Sequence, residues 1–370
     1  MAPIKVGFIG LSSNQSWSVW AHLPYLKNTT KYEVVALCNS SVDAAKAAIK
    51  AHGLPSTVKA YGNPEGIAAD PNVELVVCAT RVDKHYDGVM PALRAGKDVF
   101  CEWPLARNAA QAEELLKLAK EKGVKTLVGL QAPQSPVVRK VRELTRSGKL
   151  GKLLSTSFTG TTTIQEATEM EFVGYQNDIN IGANLLSIYA VHSLEGLTYA
   201  IAPLHTFNPL LAINHPTVQL TDYSGNPTRT VPRTSHDQVL LHGTFSCGAP
   251  ISYHLHGGPA FNKTEGCIWR IFFSKGEIQV TGPNTFLNAA DDGFKIEVFD
   301  HESGETKVVE VEKDAFSTEA FTPFSRNMAR LYEAFADGKG EDEGVLDWES
   351  ALKRHQFVSE VYEKAGVKVN

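Results

Sequence analysis

The sequence lacks the cysteine patterns of a protein organised by disulfides or metals. It has five cysteines in 370 residues, and no two of them form a CxxC pair. Several lie within apolar runs, so we expect buried free thiols and no metal site. The chain also lacks an apolar run of membrane-spanning length and an N-terminal leader with a small-residue cleavage site. These absences predict a cytoplasmic protein with no membrane partner, and they leave entry into the nucleus open.

Basic tracts are missing as well. The formal net charge is −5, and neither zinc-finger spacing nor a basic helix occurs, which argues against direct binding of nucleic acid. Hydrophobic residues make up 43% of the chain and charged residues 21%, as in an ordinary globular protein. A chain of 370 residues is long enough for two domains, each with its own core.

What is present is most informative in residues 73–105. Val73–Ala79 is an apolar run rich in β-branched residues, typical of a strand buried on both faces of a parallel sheet. A stretch with apolar residues at helical spacing and a second strand, Lys97–Cys101, follow, so the segment predicts a right-handed βαβ unit. Ligands of open α/β sheets bind beside the carboxyl ends of such strands. Thr80–His85 and Glu102–Pro104 are therefore expected to line one pocket.

A strand, a turn and a helix also open the chain, over Ile4–Ile9, a turn that starts at Gly10, and Trp17–Leu26. Dinucleotide-binding folds carry GxGxxG at this junction, because the glycines let the pyrophosphate approach the main chain and a helix N-terminus. Here the three positions are Gly10, Ser12 and Gln15. The serine and asparagine side chains of the turn can donate to phosphate, and a turn that binds nothing is the alternative.

The second strand, Tyr32–Leu37, is followed by the small polar residues Asn39–Ser41. An acidic residue at this place would bind the adenosine ribose and favour NAD, whereas an arginine would favour NADP. Neither is present. Small donors tolerate either cofactor, with a lean to NADP because no carboxylate repels its phosphate.

The complete pattern predicts an α/β N-terminal Rossmann dinucleotide-binding domain over residues 1–132 and an α+β C-terminal domain over residues 133–370. Repeated strand patterns joined by glycine-containing turns predict that the second domain has a large, mostly antiparallel sheet. The expected strands are Thr217–Leu220, Asp237–Ser246, Ile251–His256, Ile268–Phe273, Gly276–Thr281, Lys295–Asp300 and Lys307–Glu312.

Several short motifs resemble those of the glucose–fructose oxidoreductase/inositol dehydrogenase (Gfo/Idh/MocA) family: Ala79-Thr80, His85, Ala95-Gly96-Lys97 and Cys101-Glu102-x-Pro104. The resemblance implies a two-domain NAD(P)-dependent oxidoreductase acting on a carbohydrate-like hydroxyl or ketone. It also implies a homo-oligomer, since the free face of the large sheet commonly forms a dimer in that family. The family's catalytic groups are the lysine of Glu-Lys-Pro and an Asp-x-x-x-His pair. By alignment on that resemblance, Trp103, Ile188 and His192 occupy these positions.

The positions at which this sequence differs from the usual family motifs resemble those of one branch of the family, which includes the fungal galactose-pathway repressors. Trp17, Glu102-Trp103, Leu130-Gln131 and Ser135-Pro136 carry this resemblance. It implies a chain that binds a nicotinamide dinucleotide, lacks the catalytic lysine, and acts by binding a transcription activator. The extra second-domain loops of those repressors are missing here, which weakens the transfer of the activator-binding role.

His192 is the predicted proton donor or acceptor, because a neutral imidazole can exchange the proton that accompanies hydride transfer; a core histidine is the alternative. Tyr189 lies one helical turn earlier and could share its face. A sugar-like substrate is expected to contact Trp103, Tyr175, Asp178 and His192, with helix capping as the alternative for Asp178. The predicted cofactor-binding residues are Gly10, Ser12, Ser13, Asn14, Trp17, Asn39, Ser40, Ser41, Thr80, Arg81, Val82, His85, Glu102, Trp103 and Gln131.

The sequence favours two functions above others: an NAD(P)-dependent oxidoreductase with an atypical active site, and a catalytically silent NAD(P)-binding regulator. Trp103 and Ile188 favour the regulator. His192 and the shorter second domain favour the enzyme, which is our leading hypothesis. A redox-neutral enzyme with a permanently bound cofactor is a third possibility.

Overall fold

The computed structural model describes residues 2–289 and 292–369, and the chain divides into two compact units. The first unit comprises the residues through Gln131 together with Asp314–Gln356, and the second comprises Ala132–Lys313 together with the residues from Phe357 onward. This division differs from the predicted domains, 1–132 and 133–370, because residues 314–356 return to the first unit. Among the described residues, no helix combines the length and apolar character needed to cross a membrane.

The first unit contains a six-stranded parallel sheet. Its strands are β1 (Ile4–Ile9), β2 (Tyr32–Cys38), β3 (Lys59–Tyr61), β4 (Leu75–Cys78), β5 (Asp98–Cys101) and β6 (Thr126–Val128). Their order in the sheet is β3-β2-β1-β4-β5-β6, which is the doubly wound order of a dinucleotide-binding fold. The order reverses between β1 and β4, so the carboxyl ends of these strands mark the expected ligand position.

The helices of both units agree in general placement with the apolar periodicity of the sequence. The predicted helix over Trp17–Leu26 is a π-helical turn, Ser18–His22, followed by a short α-helix. In chain order the α-helices are α1 (Leu23–Asn28), α2 (Val42–Ala51), α3 (Pro64–Ala69), α4 (His85–Arg94), α5 (Ala109–Lys122), α6 (Pro136–Arg146), α7 (Val191–Ala200), α8 (Pro323–Ala336) and α9 (Trp348–Lys364).

Helix α8 belongs to the first unit because its apolar face completes that unit's core. Met328, Leu331 and Tyr332 are fully buried in one cluster with Val6 and other residues of the parallel sheet. Burying such side chains stabilises the fold by about 1.5–3 kcal/mol each. This packing explains why the second predicted domain is not continuous in sequence.

The second unit contains an eight-stranded sheet, mostly antiparallel as predicted. Its inner face is apolar, with Phe158, Tyr253 and Trp269 fully buried, and the Tyr253 hydroxyl lies 2.8 Å from the Ser193 hydroxyl of α7. The strands are β7 (Leu153–Thr161), β9 (Leu204–Ala212), β12 (Gln238–Phe245), β13 (Pro250–His256), β14 (Cys267–Phe273), β15 (Gly276–Gly282), β16 (Lys295–Asp300) and β17 (Thr306–Val309), and the sheet order is β17-β16-β15-β14-β7-β13-β12-β9.

A second, three-stranded sheet joins β8 (Thr168–Met170), β10 (Thr217–Thr221) and β11 (Pro227–Pro232). The strand predicted at Thr217–Leu220 therefore lies outside the large sheet. Next to it, the buried Arg233 guanidinium donates to the Glu169 carboxylate at 2.8 Å and to the Asp237 carboxylate at 3.2 Å. This cluster ties β8 to the residues that lead into β12.

Candidate functional site

The exit of β1 has the tight main-chain turn that a dinucleotide-binding fold requires. Gly10 has φ of +93°, a conformation that residues with a side chain rarely adopt. A Cβ atom here would lie 2.6 Å from Thr80 Cγ2 and 2.8 Å from the Ala79 carbonyl oxygen. The Ser18 hydroxyl donates to the Gly10 carbonyl at 2.9 Å. Only glycine fits this place, so the single glycine left from the motif is the one that the geometry requires.

An open pocket of about 200 Å³ lies beside this turn. The Asn39 side-chain amide donates to the Leu11 carbonyl at 2.9 Å, which joins the turn after β1 to the end of β2. The Ser41 hydroxyl accepts from the Ala44 amide and caps α2, and the Asn14 amide donates to the Ser12 hydroxyl. The lining residues are Gly10, Ser12, Ser13, Asn39, Ser40 and Ala44, five of which are predicted cofactor residues.

The exit of β4 is held by an ion pair that the sequence analysis did not identify. Arg81 donates two hydrogen bonds to the Asp83 carboxylate, at 2.5 and 2.7 Å, and this guanidinium holds the pKa of Asp83 below its usual range. Val82 is buried. The predicted cofactor residues Arg81 and Val82 thus shape the loop after β4.

His85, at the start of α4, is buried with its ring turned towards the main chain. Its Nδ1 lies 2.8 Å from the Pro104 carbonyl oxygen and its Nε2 lies 3.0 Å from the Thr80 carbonyl oxygen. The ring therefore connects the loops that follow β4 and β5. A role for His85 in cofactor binding would act through the position of these loops.

Glu102, directly after β5, is buried and paired with a histidine that the sequence analysis missed. His22 Nε2 lies 2.9 Å from the Glu102 carboxylate, and His22 Nδ1 lies 2.8 Å from the Tyr332 hydroxyl. A Cβ atom at Gly129 would come within 2.7 Å of the same carboxylate. Burial raises the pKa of Tyr332 well above its usual range. These contacts fix the orientation of Glu102.

Trp103, at the position where the resembled family has lysine, is 5% exposed. Its ring lies 4.6 Å, centroid to centroid, from that of His355 in α9. The Ala106 amide donates to His355 Nε2, and burial lowers the pKa of His355 to about 3, so this ring is neutral. Trp17, also a predicted cofactor residue, is half-buried and packs edge-on against Phe324.

Gln131, just past β6, has a fully buried side chain whose amide oxygen and nitrogen both lack a hydrogen-bond partner. Buried polar groups of proteins are nearly always paired, and each unpaired group costs about 1–3 kcal/mol. Such an amide is a place where a bound group or a water would be stabilised.

In the second unit, His192 lies in α7 and is 8% exposed. Its Nδ1 is buried without a hydrogen-bond partner, and burial lowers its pKa to about 3, which keeps the ring neutral. Tyr189 donates to Gln176 Oε1 at 3.2 Å, and burial raises the pKa of its hydroxyl. Ile188 is partly buried and supplies no polar group.

The two other predicted substrate residues lie in the segment before α7. The Asp178 carboxylate accepts from the Asn180 amide at 2.9 Å and caps a 3-10 turn, which is the capping role given above as its alternative. Tyr175 is half-buried.

Comparison with known proteins matches two families to consecutive parts of the chain. Residues 4–130 match the oxidoreductase family with an NAD-binding Rossmann fold, and residues 136–282 match the C-terminal domain of Gal80p. The dehydrogenase aclE of Aspergillus oryzae is 29% identical, over 98% of this chain and 96% of that protein. The galactose/lactose metabolism regulatory protein GAL80 of Saccharomyces cerevisiae is 27% identical, over 91% of this chain and 82% of that protein.

Solved structures resemble the complete chain. A super-repressor mutant of Gal80p from Saccharomyces cerevisiae has a TM-score of 0.89 and 26% identity, over 99% of this chain and 96% of that chain. Levoglucosan dehydrogenase in complex with NADH and L-sorbose has a TM-score of 0.77 and 18% identity, over 99% and 97%. At 18% identity the second likeness concerns the fold alone.

Proposed function

Since residues 4–130 belong to the oxidoreductase family with an NAD-binding Rossmann fold and residues 136–282 to the Gal80p C-terminal domain family, we propose that this chain is an NAD(P)-dependent oxidoreductase of a carbohydrate-like hydroxyl or ketone. The observation that carries the proposal is the pocket at the exits of β1 and β2, lined by Gly10, Ser12, Ser13, Asn39 and Ser40. These residues supply the close main-chain approach and small donors that a dinucleotide needs.

The residues of the first unit fit a nicotinamide dinucleotide. At Gly10 the absence of a side chain leaves the main chain accessible, and a Cβ atom would collide with the Ala79 carbonyl. At Gln131 a buried amide has two unpaired polar atoms, which suit a polar group of a ligand. The polar side chains lining the pocket are serines and an asparagine. They do not discriminate strongly between NAD and NADP, and the lack of a carboxylate leans towards NADP.

When bound, the nicotinamide ring supplies the acceptor or donor of hydride, and the protein must move the accompanying proton. We assign this proton exchange to His192, with Tyr189 as its helical neighbour. The neutral ring and unpaired Nδ1 of His192 support the assignment, because such a nitrogen can accept a hydrogen bond from a hydroxyl. Gln176 holds the Tyr189 hydroxyl by a hydrogen bond at 3.2 Å and so limits its orientation.

A second function, a catalytically silent NAD(P)-binding regulator that acts on a transcription activator, is favoured by Trp103. A buried indole packed on His355 can neither donate nor accept the proton that a lysine would handle. The pKa of about 3 for His192 points the same way, since an efficient general base has a pKa near the working pH. Such a protein would bind the cofactor without turning it over.

One experiment separates these functions. The purified protein is examined by native mass spectrometry for bound cofactor, and nicotinamide absorbance is then followed with sugars, polyols and keto-sugars. Turnover supports the enzyme, and the His192→Ala variant should then lower kcat by roughly 10²–10⁴-fold. His301→Ala, at an exposed histidine just past strand β16, is the control and should change kcat little. A bound cofactor that is never turned over supports the regulator, and absence of binding contradicts both functions.

We also propose that the chain forms a homodimer through the outer face of the eight-stranded sheet. Strand register aligns Leu210, Leu240, His254, Thr159 and Ile268 in one row across five strands. Leu210 is 59% exposed, and covering such apolar side chains would be favourable.

A further inference from the structure

The side chains of Cys78, His85 and Cys101 form a buried cluster, and neither proposed function uses its two thiols. Cys78 ends β4, Cys101 ends β5, and the two are direct partners in the register of these neighbouring strands. Their sulfur atoms and a ring nitrogen of His85 all lie within 4.8 Å of one another. The cysteines are fully buried, and the histidine is 1% exposed. Three elements thus bring two thiols and an imidazole together in a dry place.

Two thiolates and an imidazole are a ligand set that zinc prefers. Tetrahedral zinc, with bonds of about 2.3 Å to sulfur and 2.0–2.1 Å to nitrogen, needs ligand atoms roughly 3.5–3.8 Å apart. The cluster reaches this spacing if its atoms move inward by about 1 Å or less. Both cysteines are fully buried, so this movement requires their side chains to rotate within a packed core.

Both ring nitrogens of His85 face main-chain carbonyl oxygens, that of Pro104 at 2.8 Å from Nδ1 and that of Thr80 at 3.0 Å from Nε2. A neutral imidazole has one N–H group, so it can donate to only one of these oxygens. To bind zinc, the ring would keep the hydrogen bond from Nδ1 to Pro104 and turn the lone pair of Nε2 from the Thr80 carbonyl towards the ion. Histidines that bind a metal through one nitrogen donate a hydrogen bond from the N–H of the other, which fixes the orientation of the ring. Thr80 also has its hydroxyl 3.6 Å from Cys78 Sγ, so an oxygen ligand is at hand for a fourth position.

We propose that Cys78, His85 and Cys101 bind a zinc ion, with an oxygen of Thr80 as the fourth ligand. Charge favours zinc over monovalent copper here, because Zn²⁺ with two thiolates is neutral whereas Cu⁺ leaves a net negative charge in a buried place. The ion would join the carboxyl ends of β4 and β5 and thereby stabilise this edge of the sheet. The test of this proposal measures metal alone and needs neither bound cofactor nor turnover.

The test uses the full-length, reduced protein after removal of metals with a chelator. Zinc chloride alone is added, unbound ion is removed by gel filtration, and the metal is counted by elemental mass spectrometry. We expect one equivalent per chain, and with Co²⁺ in its place the absorption of a thiolate-bound tetrahedral ion. Cys78→Ser and Cys101→Ser should each weaken binding at least tenfold. Cys38→Ser is the matched control, a buried thiol at the end of β2, and should keep one equivalent.

The unmodified chain gives a second measurement if the serine variants do not fold. Zinc should raise its Tm with increasing concentration, as for any ligand of the native state, and X-ray absorption of the zinc-loaded protein should show two sulfur ligands. No retained zinc, equal retention in Cys101→Ser, uptake of Cu⁺ alone, or zinc coordinated without sulfur would each overturn the proposal.

Discussion

Replacing Gly10 by alanine tests whether the turn after β1 holds the cofactor. The new Cβ would lie 2.8 Å from the Ala79 carbonyl oxygen, which belongs to the main chain and cannot rotate away. With φ at +93°, the left-handed conformation costs about 1–2 kcal/mol, and overpacking adds about 1–3 kcal/mol. Relief of the collision requires the turn to move. Loss of one hydrogen bond to a charged phosphate, worth about 1.5–3 kcal/mol, then weakens cofactor binding by roughly 10–100-fold.

Gly53→Ala is the matched control for this variant. Gly53 also has a positive φ, +60°, but a Cβ atom there meets nothing within 4 Å. It therefore carries the conformational cost without the collision. Titration of NADH and NADPH by fluorescence measures affinity, and a thermal melt measures stability. If Gly10→Ala binds the cofactor as tightly as Gly53→Ala does, the pyrophosphate does not lie at this turn and our reasoning about the pocket is refuted.

Further predictions concern the second unit. Arg233→Met should lower the free energy of unfolding by about 3–5 kcal/mol, because it leaves buried carboxylates unpaired. Arg229→Met, at an exposed pair, should change this free energy little. Equal losses for the two variants in urea titrations would contradict the prediction. Burial raises the pKa of Glu169. A carboxyl group whose pKa is raised by folding favours the folded state at pH values below its pKa in the unfolded chain, and this contribution is lost as the pH rises through its pKa in the folded state. The loss of unfolding free energy in Arg233→Met should therefore become smaller on acidification. Leu210→Lys with Leu240→Lys should convert the dimer to monomer in light scattering, and an unchanged mass would exclude this face.

Most of the first unit could be predicted because its signals are local. The apolar run of β4 is buried along its whole length. It predicts where β4 ends, and Thr80, just past that end, lies against Gly10. A strand of a parallel sheet needs apolar side chains on both faces, so four or five consecutive apolar residues are enough to identify it. The same holds for Asn39, which follows β2 and lines the pocket.

Features that depend on distant partners could not be predicted. His22 is paired with residues 80 and 310 positions away, and nothing near it in sequence distinguishes it from a surface histidine. Strand β9 was missed because it is an edge strand that contains Pro209 and many exposed side chains, a composition that edge positions tolerate. The packing of α8 in the first unit was missed for a related reason, since an amphipathic sequence does not show which of two cores the helix covers.

The interrupted first unit has a consequence for how the chain is made. The Val128 amide donates to the Leu346 carbonyl, and the Trp348 indole donates to the Leu127 carbonyl, so β6 and the core await residues beyond Lys313. The ribosome synthesises all of Ala132–Lys313 before it synthesises these partners. The nascent Rossmann sheet must therefore remain open, with its apolar surface uncovered, throughout synthesis of the other unit. A gene truncated after codon 131 would encode an incomplete fold, whereas a gene that places codons 314–356 directly before codon 1 would encode the first unit as one segment.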